Sequence, residues 1–166
     1  DRKESCGQCT LCKLGTKQML NILEDIVAGN GQPNDINTLV EIGESVNGGS
    51  LCGLGQSAAN PVLTTIKYFR KEYEEHINKK RCPALACTEL ISYQIDPEKC
   101  SGCTICAKIC PVEAITGVKK EVHVLDQEKC IKCGMCFEKC PKKFRAVQCV
   151  SLGIEEGGEE GRAKLI

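Results

Sequence analysis

Apolar side chains recur every three to four positions through the first eighty residues. Beyond that they give way to short apolar runs, each leading into a cluster of cysteines. Met19, Leu20, Leu23, Ile26 and Val27 fall at helical spacing and predict a helix over residues 16–28, stopped by Gly29, Asn30 and Gly31. Ile36, Leu39, Val40, Ile42 and Val46 predict a second helix, capped by Asp35 and ended by Gly48 and Gly49. Asn60-Pro61 reads as a start signal, with Asn as cap and Pro at the first helical position. Val62, Leu63, Ile66, Phe69 and Tyr73 then form one stripe of a long helix reaching Asn78, and its other face is Lys, Arg and Glu. Residues 1–80 are thus expected to form a small antiparallel helical bundle.

The period changes at Tyr93. Residues 92–100, SYQIDPEKC, are echoed by residues 122–130, VHVLDQEKC. Each predicts a short strand feeding a cysteine loop, and the repeat implies a domain with two-fold internal symmetry over residues 93–150. Residues 81–92 read as a connector and residues 151–166 as a flexible tail, Glu/Gly-rich from Glu155 to Gly161. The expected class is α+β: a helical bundle followed by a bacterial-type ferredoxin domain.

Composition sharpens this picture, because fifteen of the 166 residues are Cys. Cys100, Cys103, Cys106 and Cys110-Pro111 repeat as Cys130, Cys133, Cys136 and Cys140-Pro141, each a C-x2-C-x2-C-x3-C-P run. Such paired runs hold two [4Fe–4S] clusters, the first three cysteines gripping one cluster and the fourth reaching the other. Cys100, Cys103, Cys106 and Cys140 are therefore assigned to one cluster, and Cys130, Cys133, Cys136 and Cys110 to its neighbour. This spacing disfavours a disulfide framework and points to a reducing, cytoplasmic compartment. No stretch is apolar enough to cross a bilayer, and no signal peptide opens the chain. Lys+Arg and Asp+Glu balance at 22 each. Loaded clusters would add negative charge, so nucleic acid is not an expected partner. A domain of barely fifty-five residues has a thin core of its own, so its clusters should also act as structural staples (roughly the size at which staples become necessary).

A third cradle stands in the helical part: Cys6, Cys9 and Cys12 form another C-x2-C-x2-C run. Its fourth ligand is expected to be Cys52, folded back by the bundle, against the plainer reading of Cys52 as a small buried apolar residue. Cys82, Cys87 and Cys149 remain, with His76 six positions before Cys82. Three Cys and one His make a closed tetrahedral zinc set. A His/Cys-ligated iron–sulfur cluster and unligated thiols are the alternatives, and Cys149, far along the chain, is the ligand that spacing supports least. His123 is expected to face solvent on its strand. Lys142, Lys143 and Arg145 read as a solvated basic patch, and Tyr68, Phe69 and Tyr73 as helix packing. No nucleophile–base set or paired catalytic carboxylates stand out.

The residues ESCGQCT at 4–10, SLCGLG at 50–55 and Asn60-Pro61-Val62 resemble the cluster domain at the C-terminal end of the flavoprotein, NADH-binding subunit of respiratory complex I and of its relatives in NAD(P)-linked hydrogenases and formate dehydrogenases. With a double-cluster ferredoxin appended, the chain is similar to the diaphorase subunit of multimeric, often electron-bifurcating [FeFe]-hydrogenases. Leu11 departs from the family, which often has Pro there. The resemblance implies three [4Fe–4S] clusters relaying electrons between a flavin/NAD(P) site and partner subunits or soluble ferredoxin. FMN and NAD(P) would bind only in a preceding domain that this sequence does not include. Residues 53–58 formally match G-x-G-x-x-A, yet no strand precedes them and no βαβ unit surrounds them, so they read as a cluster loop entering a helix. The rival readings are an independent ferredoxin-like carrier with a helical extension, and a zinc-rich binding module with no redox role.

Overall fold

The computed structural model describes residues 4–153, and the Glu/Gly-rich tail lies outside them. The chain divides into two compact units, Asp1–Pro83 and Ala84–Ile166.

The first unit is helical. A π-helical turn at Leu11–Gly15 runs into α1 (Thr16–Val27), followed by α2 (Asp35–Gly49), the short α3 (Gly53–Ser57) and the long α4 (Asn60–Asn78). Met19 and Ile26 of α1, Ile36, Leu39 and Val46 of α2, and Ile66 and Ile77 of α4 close around one apolar core. Glycines let the elements approach closely. A Cβ on Gly43 would lie 2.8 Å from Leu63, and one on Gly15 would lie 2.3 Å from Val46. α1 ends where Gly29 takes a left-handed φ of 84°.

Capping and the long helix differ from expectation. Asp35 is the first residue of α2 rather than its cap, and its carboxylate reaches back to accept the Gln32 N–H at 2.7 Å. Asn60 is inside α4, where its side chain accepts from Asn47 Nδ2 at 2.7 Å, while Ala59 occupies the cap position. Phe69 breaks the α4 geometry with φ −125° and ψ 30°, and the kink leaves Phe69 55% exposed and Tyr68 exposed beside it. Neither therefore packs into the core stripe. Tyr73 remains packed against the core, its hydroxyl paired with Thr65 Oγ1 at 2.9 Å.

The second unit is built by exchange between the two sequence repeats. After a 3-10 turn at Thr88–Leu90 come β1 (Ile91–Ile95), α5 (Ile105–Ile109), β2 (Ile115–Thr116), β3 (Val124–Leu125), α6 (Met135–Lys139) and β4 (Val147–Ser151). β1 pairs antiparallel with β4, and β2 with β3, so each ladder joins the start of one repeat to the end of the other. The backbone N–H of Asp96 donates to Ala146 O at 2.7 Å, and that of the equivalent Asp126 to Ala114 O at 2.8 Å. Each of these aspartates also accepts from the backbone N–H two residues on, at 3.0 Å, turning the chain into a cysteine loop. The two extra residues after Cys140 are absorbed in a turn in which the Phe144 and Arg145 N–H groups both donate to Pro141 O. The core joins Ile91, Tyr93, Ile115 and Val147 to Cys106 and Cys136.

Candidate metal and cluster centres

The exchange of strands brings cysteines of both repeats together. One cavity, with about 290 Å³ of empty space, is lined by Cys100, Cys103 and Cys106 of the first repeat and Cys140 of the second. A second, of about 300 Å³, is lined by Cys130, Cys133 and Cys136 of the second repeat and Cys110 of the first. Apolar side chains make up much of the remaining wall: Ile95, Phe144 and Val147 in one, Ile115, Leu125 and Met135 in the other.

The cysteine loops owe their curvature to backbone in the left-handed region. Gly102 and its repeat equivalent Lys132 have φ of 66° and 55°, and Thr104 and its equivalent Gly134 have 63° and 77°. This curvature turns backbone N–H groups onto sulfur. Ala114 N–H donates to Cys110 Sγ at 3.3 Å, and Lys132 N–H to Cys130 Sγ at 3.4 Å. Such donors favour thiolate over thiol and tune a bound cluster. Burial works the other way on the thiols. It pushes the Cys136 thiol up to about 11, with the neighbouring Cys130 charge adding to the rise, and burial likewise raises Cys106.

These observations fit a [4Fe–4S] group in each cavity. Each offers four sulfurs in a mostly apolar enclosure, and in the second the Ala114 and Lys132 N–H groups are aimed at sulfur. The first also contains a polar atom with no hydrogen-bond partner among the described residues: Nε2 of His123, on a side chain lining the cavity. His123 was expected to face solvent, and the structure overturns that reading, since it is 2% exposed. The strand it precedes is only two residues long, and Gly117 supplies the space for its ring, because a Cβ there would sit 2.8 Å from His123 Cγ. Tyr93, thirty positions earlier in the equivalent place, lines the second cavity and is 8% exposed. Burial and then the nearby Cys149, which also hydrogen-bonds the phenol, push the Tyr93 hydroxyl up to about 12. The sequence reading missed both residues, although the thirty-residue offset aligns them.

In the helical unit Cys12 is buried, Cys9 half-buried, and Cys6 and Cys52 exposed. Ser5 anchors the start of the cradle, its hydroxyl 3.6 Å from Cys12 Sγ and accepting the Gly7 N–H at 3.3 Å, and Gly7 takes φ 77°. The 50–55 loop carrying Cys52 is held against the same place. Ser50 Oγ donates to Val46 O at 2.6 Å, and a Cβ on Gly55 would lie 2.5 Å from Ser50 Cβ and 3.6 Å from Cys12 Cβ.

The last group combines a histidine with cysteines. His76, at the end of α4, and Cys82 and Cys87 in the connector offer ligand atoms that all lie within 4.8 Å of one another. That convergence matches the reach of a single tetrahedral ion. His76 Nδ1–H donates to Glu72 O at 2.7 Å, which fixes the ring's orientation at the helix end. Cys149, the fourth residue of the expected set, lies on β4 in register with Tyr93.

Comparison with known proteins agrees with this layout. The NADH-ubiquinone oxidoreductase-F iron–sulfur binding region matches residues 2–76, and a 4Fe–4S dicluster domain matches residues 92–141. The chain is similar to the NADP-reducing hydrogenase subunit HndC of Solidesulfovibrio fructosivorans, with 47% identity over 120 residues, covering 72% of this chain and 24% of that protein. It is also similar to the F subunit of NADH-quinone oxidoreductase in Streptomyces coelicolor, 50% identical over 80 residues, covering 48% of this chain and 18% of the relative. A third relative is the mitochondrial NADH dehydrogenase [ubiquinone] flavoprotein 1 of Dictyostelium discoideum, 41% identical over 87 residues, 49% of this chain and 18% of that protein. The chain thus spans a quarter or less of the length of these relatives. Among the described residues no helix is long and apolar enough to cross a membrane. Residues 2–76 thus match the NADH-ubiquinone oxidoreductase-F iron–sulfur binding region and residues 92–141 a 4Fe–4S dicluster domain, so the chain carries two iron–sulfur binding regions similar to those of NADH dehydrogenase and hydrogenase subunits.

Proposed function

We propose that this chain holds three [4Fe–4S] clusters and one structural zinc ion, and carries single electrons between a flavin/NAD(P) site elsewhere in its enzyme and hydrogenase or ferredoxin partners. The observation that carries this reading is the pair of cavities, each lined by three cysteines of one repeat and the fourth of the other. When bound, each cluster supplies a one-electron centre that makes and breaks no substrate bond. Cys100, Cys103, Cys106 and Cys140 would hold one, Cys130, Cys133, Cys136 and Cys110 the second, and Cys6, Cys9, Cys12 and Cys52 the third. The backbone N–H groups on Cys110 and Cys130 offset part of the charge collected there. His76, Cys82, Cys87 and Cys149 would hold zinc, which has no redox chemistry of its own and so pins the connector without competing for electrons. The similarity to an NADP-reducing hydrogenase subunit supports the assignment of partners. The oxidoreductase-F region over residues 2–76 weighs against an independent ferredoxin-like carrier, which has no need of it.

Metal analysis of anaerobically prepared protein tests the reading. The expected content is about twelve iron, about twelve acid-labile sulfide and one zinc per chain, with the brown colour of sulfide-to-iron charge transfer. A colourless, sulfide-free preparation overturns it. Copurification with larger flavin-containing subunits is expected, and isolation as a lone small carrier would instead favour the ferredoxin-like alternative.

A further inference from the structure

The two cluster cavities are not equivalent, and one difference lies at a pair of repeat-equivalent positions. Tyr93 and His123 occupy the same place in the thirty-residue repeat, and each lines the cavity that holds the other repeat's first three cysteines. Tyr93 directs its hydroxyl away from this task, to Cys149 on β4. His123 has no such outlet. Its Nδ1 lies 3.2 Å from Glu121 O and 3.9 Å from Cys100 Sγ. A carbonyl oxygen can only accept, so Nδ1 carries the hydrogen, and Cys100 Sγ stands within reach of that same N–H. The opposite ring nitrogen is buried with no hydrogen-bond partner among the described residues.

We propose that His123 is a positioning residue that donates an N–H hydrogen bond to the Cys100 ligand, raising the reduction potential of the cluster held by Cys100, Cys103, Cys106 and Cys140 over its value without that donor. The proposal rests on the reading that both cavities hold [4Fe–4S] clusters. Reduction adds negative charge to the cluster and its sulfurs, so a fixed donor stabilises the reduced form more than the oxidised one. The second cavity has a tyrosine at the equivalent place, and its N–H donors to sulfur are the Ala114 and Lys132 backbone groups on Cys110 and Cys130.

The test uses the full chain, loaded anaerobically with iron and sulfide and grown with isotope-labelled histidine. The chain has only two histidines, His76 and His123. Pulsed EPR of the reduced protein should show coupling to a histidine nitrogen that survives in His76→Ala and disappears in His123→Phe. In an EPR-monitored redox titration, His123→Phe should lower one midpoint and leave the others in place. His123→Asn, which restores an N–H donor, should recover part of the shift, and Tyr93→Phe should leave that midpoint unmoved. Absence of histidine coupling, or an unmoved midpoint in a variant with full iron and sulfide content, overturns the proposal. A preparation lacking iron and sulfide would count against the cluster assignment itself, and the two failures are thus told apart by metal analysis. Should His123→Phe fail to load, the coupling in the unaltered protein and the His123→Asn midpoint still decide.

Discussion

Gly102 and Lys132 offer a way to separate backbone conformation from crowding. They are equivalent in the repeat and share a left-handed φ, 66° and 55°. Lys132 carries a full side chain there, so conformation alone does not demand glycine. What distinguishes Gly102 is its neighbour: a Cβ would stand 2.5 Å from Glu121 N and 2.6 Å from Lys120 N and Cα, all backbone atoms. That segment is tied down by the Lys120 N–H donating to Gly102 O at 3.0 Å. Gly102→Ala should therefore cost about 1 kcal/mol for the left-handed conformation and about 1–3 kcal/mol for the forced backbone shift. Lys132→Ala should cost about 1 kcal/mol or less, because it loses an exposed hydrogen bond from Nζ to Glu89 O at 3.3 Å and a loose pairing with the Glu89 carboxylate at 3.9 Å. The assay is anaerobic urea titration of the loaded protein, followed by the visible absorption of the clusters. With a denaturant slope of roughly 2 kcal/mol per molar, Gly102→Ala should lower the midpoint by about 1–2 M. A Gly102→Ala midpoint indistinguishable from that of Lys132→Ala would refute the reasoning.

Three further outcomes are expected. Cys110→Ser should perturb the EPR signal of the cluster assigned to Cys130, Cys133 and Cys136, although it lies in the other run; an effect confined to the cluster of its own run would reverse the assignment. His76→Ala or Cys82→Ser should remove zinc, about one ion per chain by elemental analysis, while iron and sulfide remain, and coupled loss of iron would argue for a cluster at that place. Burial holds the Cys136 thiol at about 11 in the folded, empty site, against 9.0 for an ordinary thiol. The empty protein therefore has this contribution to stability in full below pH 9 and loses it as pH rises towards 11, whereas the loaded protein, with the thiolate already bound, should lack that decline; thermal unfolding of the two forms across this range checks the sign.

Much of this could be read from the chain because its signals are strong and local. The helical period of Met19, Leu23 and Ile26 placed α1 within a residue, and Gly29 closed it. The thirty-residue echo revealed the exchange that seats Cys110 and Cys140 in opposite cavities. The failures share a physical cause: they depend on what a side chain meets in space. Asp35 and Asn60 are good caps by type, yet both found other partners at the helix starts. Phe69 fits the apolar stripe by number and leaves it through a kink that no residue in its neighbourhood signals. His123 is polar and stands in a stretch too short to show alternation, so its burial depends on the space left by Gly117 and is invisible to periodicity.

Because Cys110 and Cys140 trade places, neither half of the duplicated segment can complete its own vessel. A chain caught midway through synthesis, with only the earlier half emerged, presents three sulfurs and an open corner. Filling would wait for the later half, which completes one vessel at Cys136 and the other at Cys140, and a truncation before Cys130 should spoil both vessels at once.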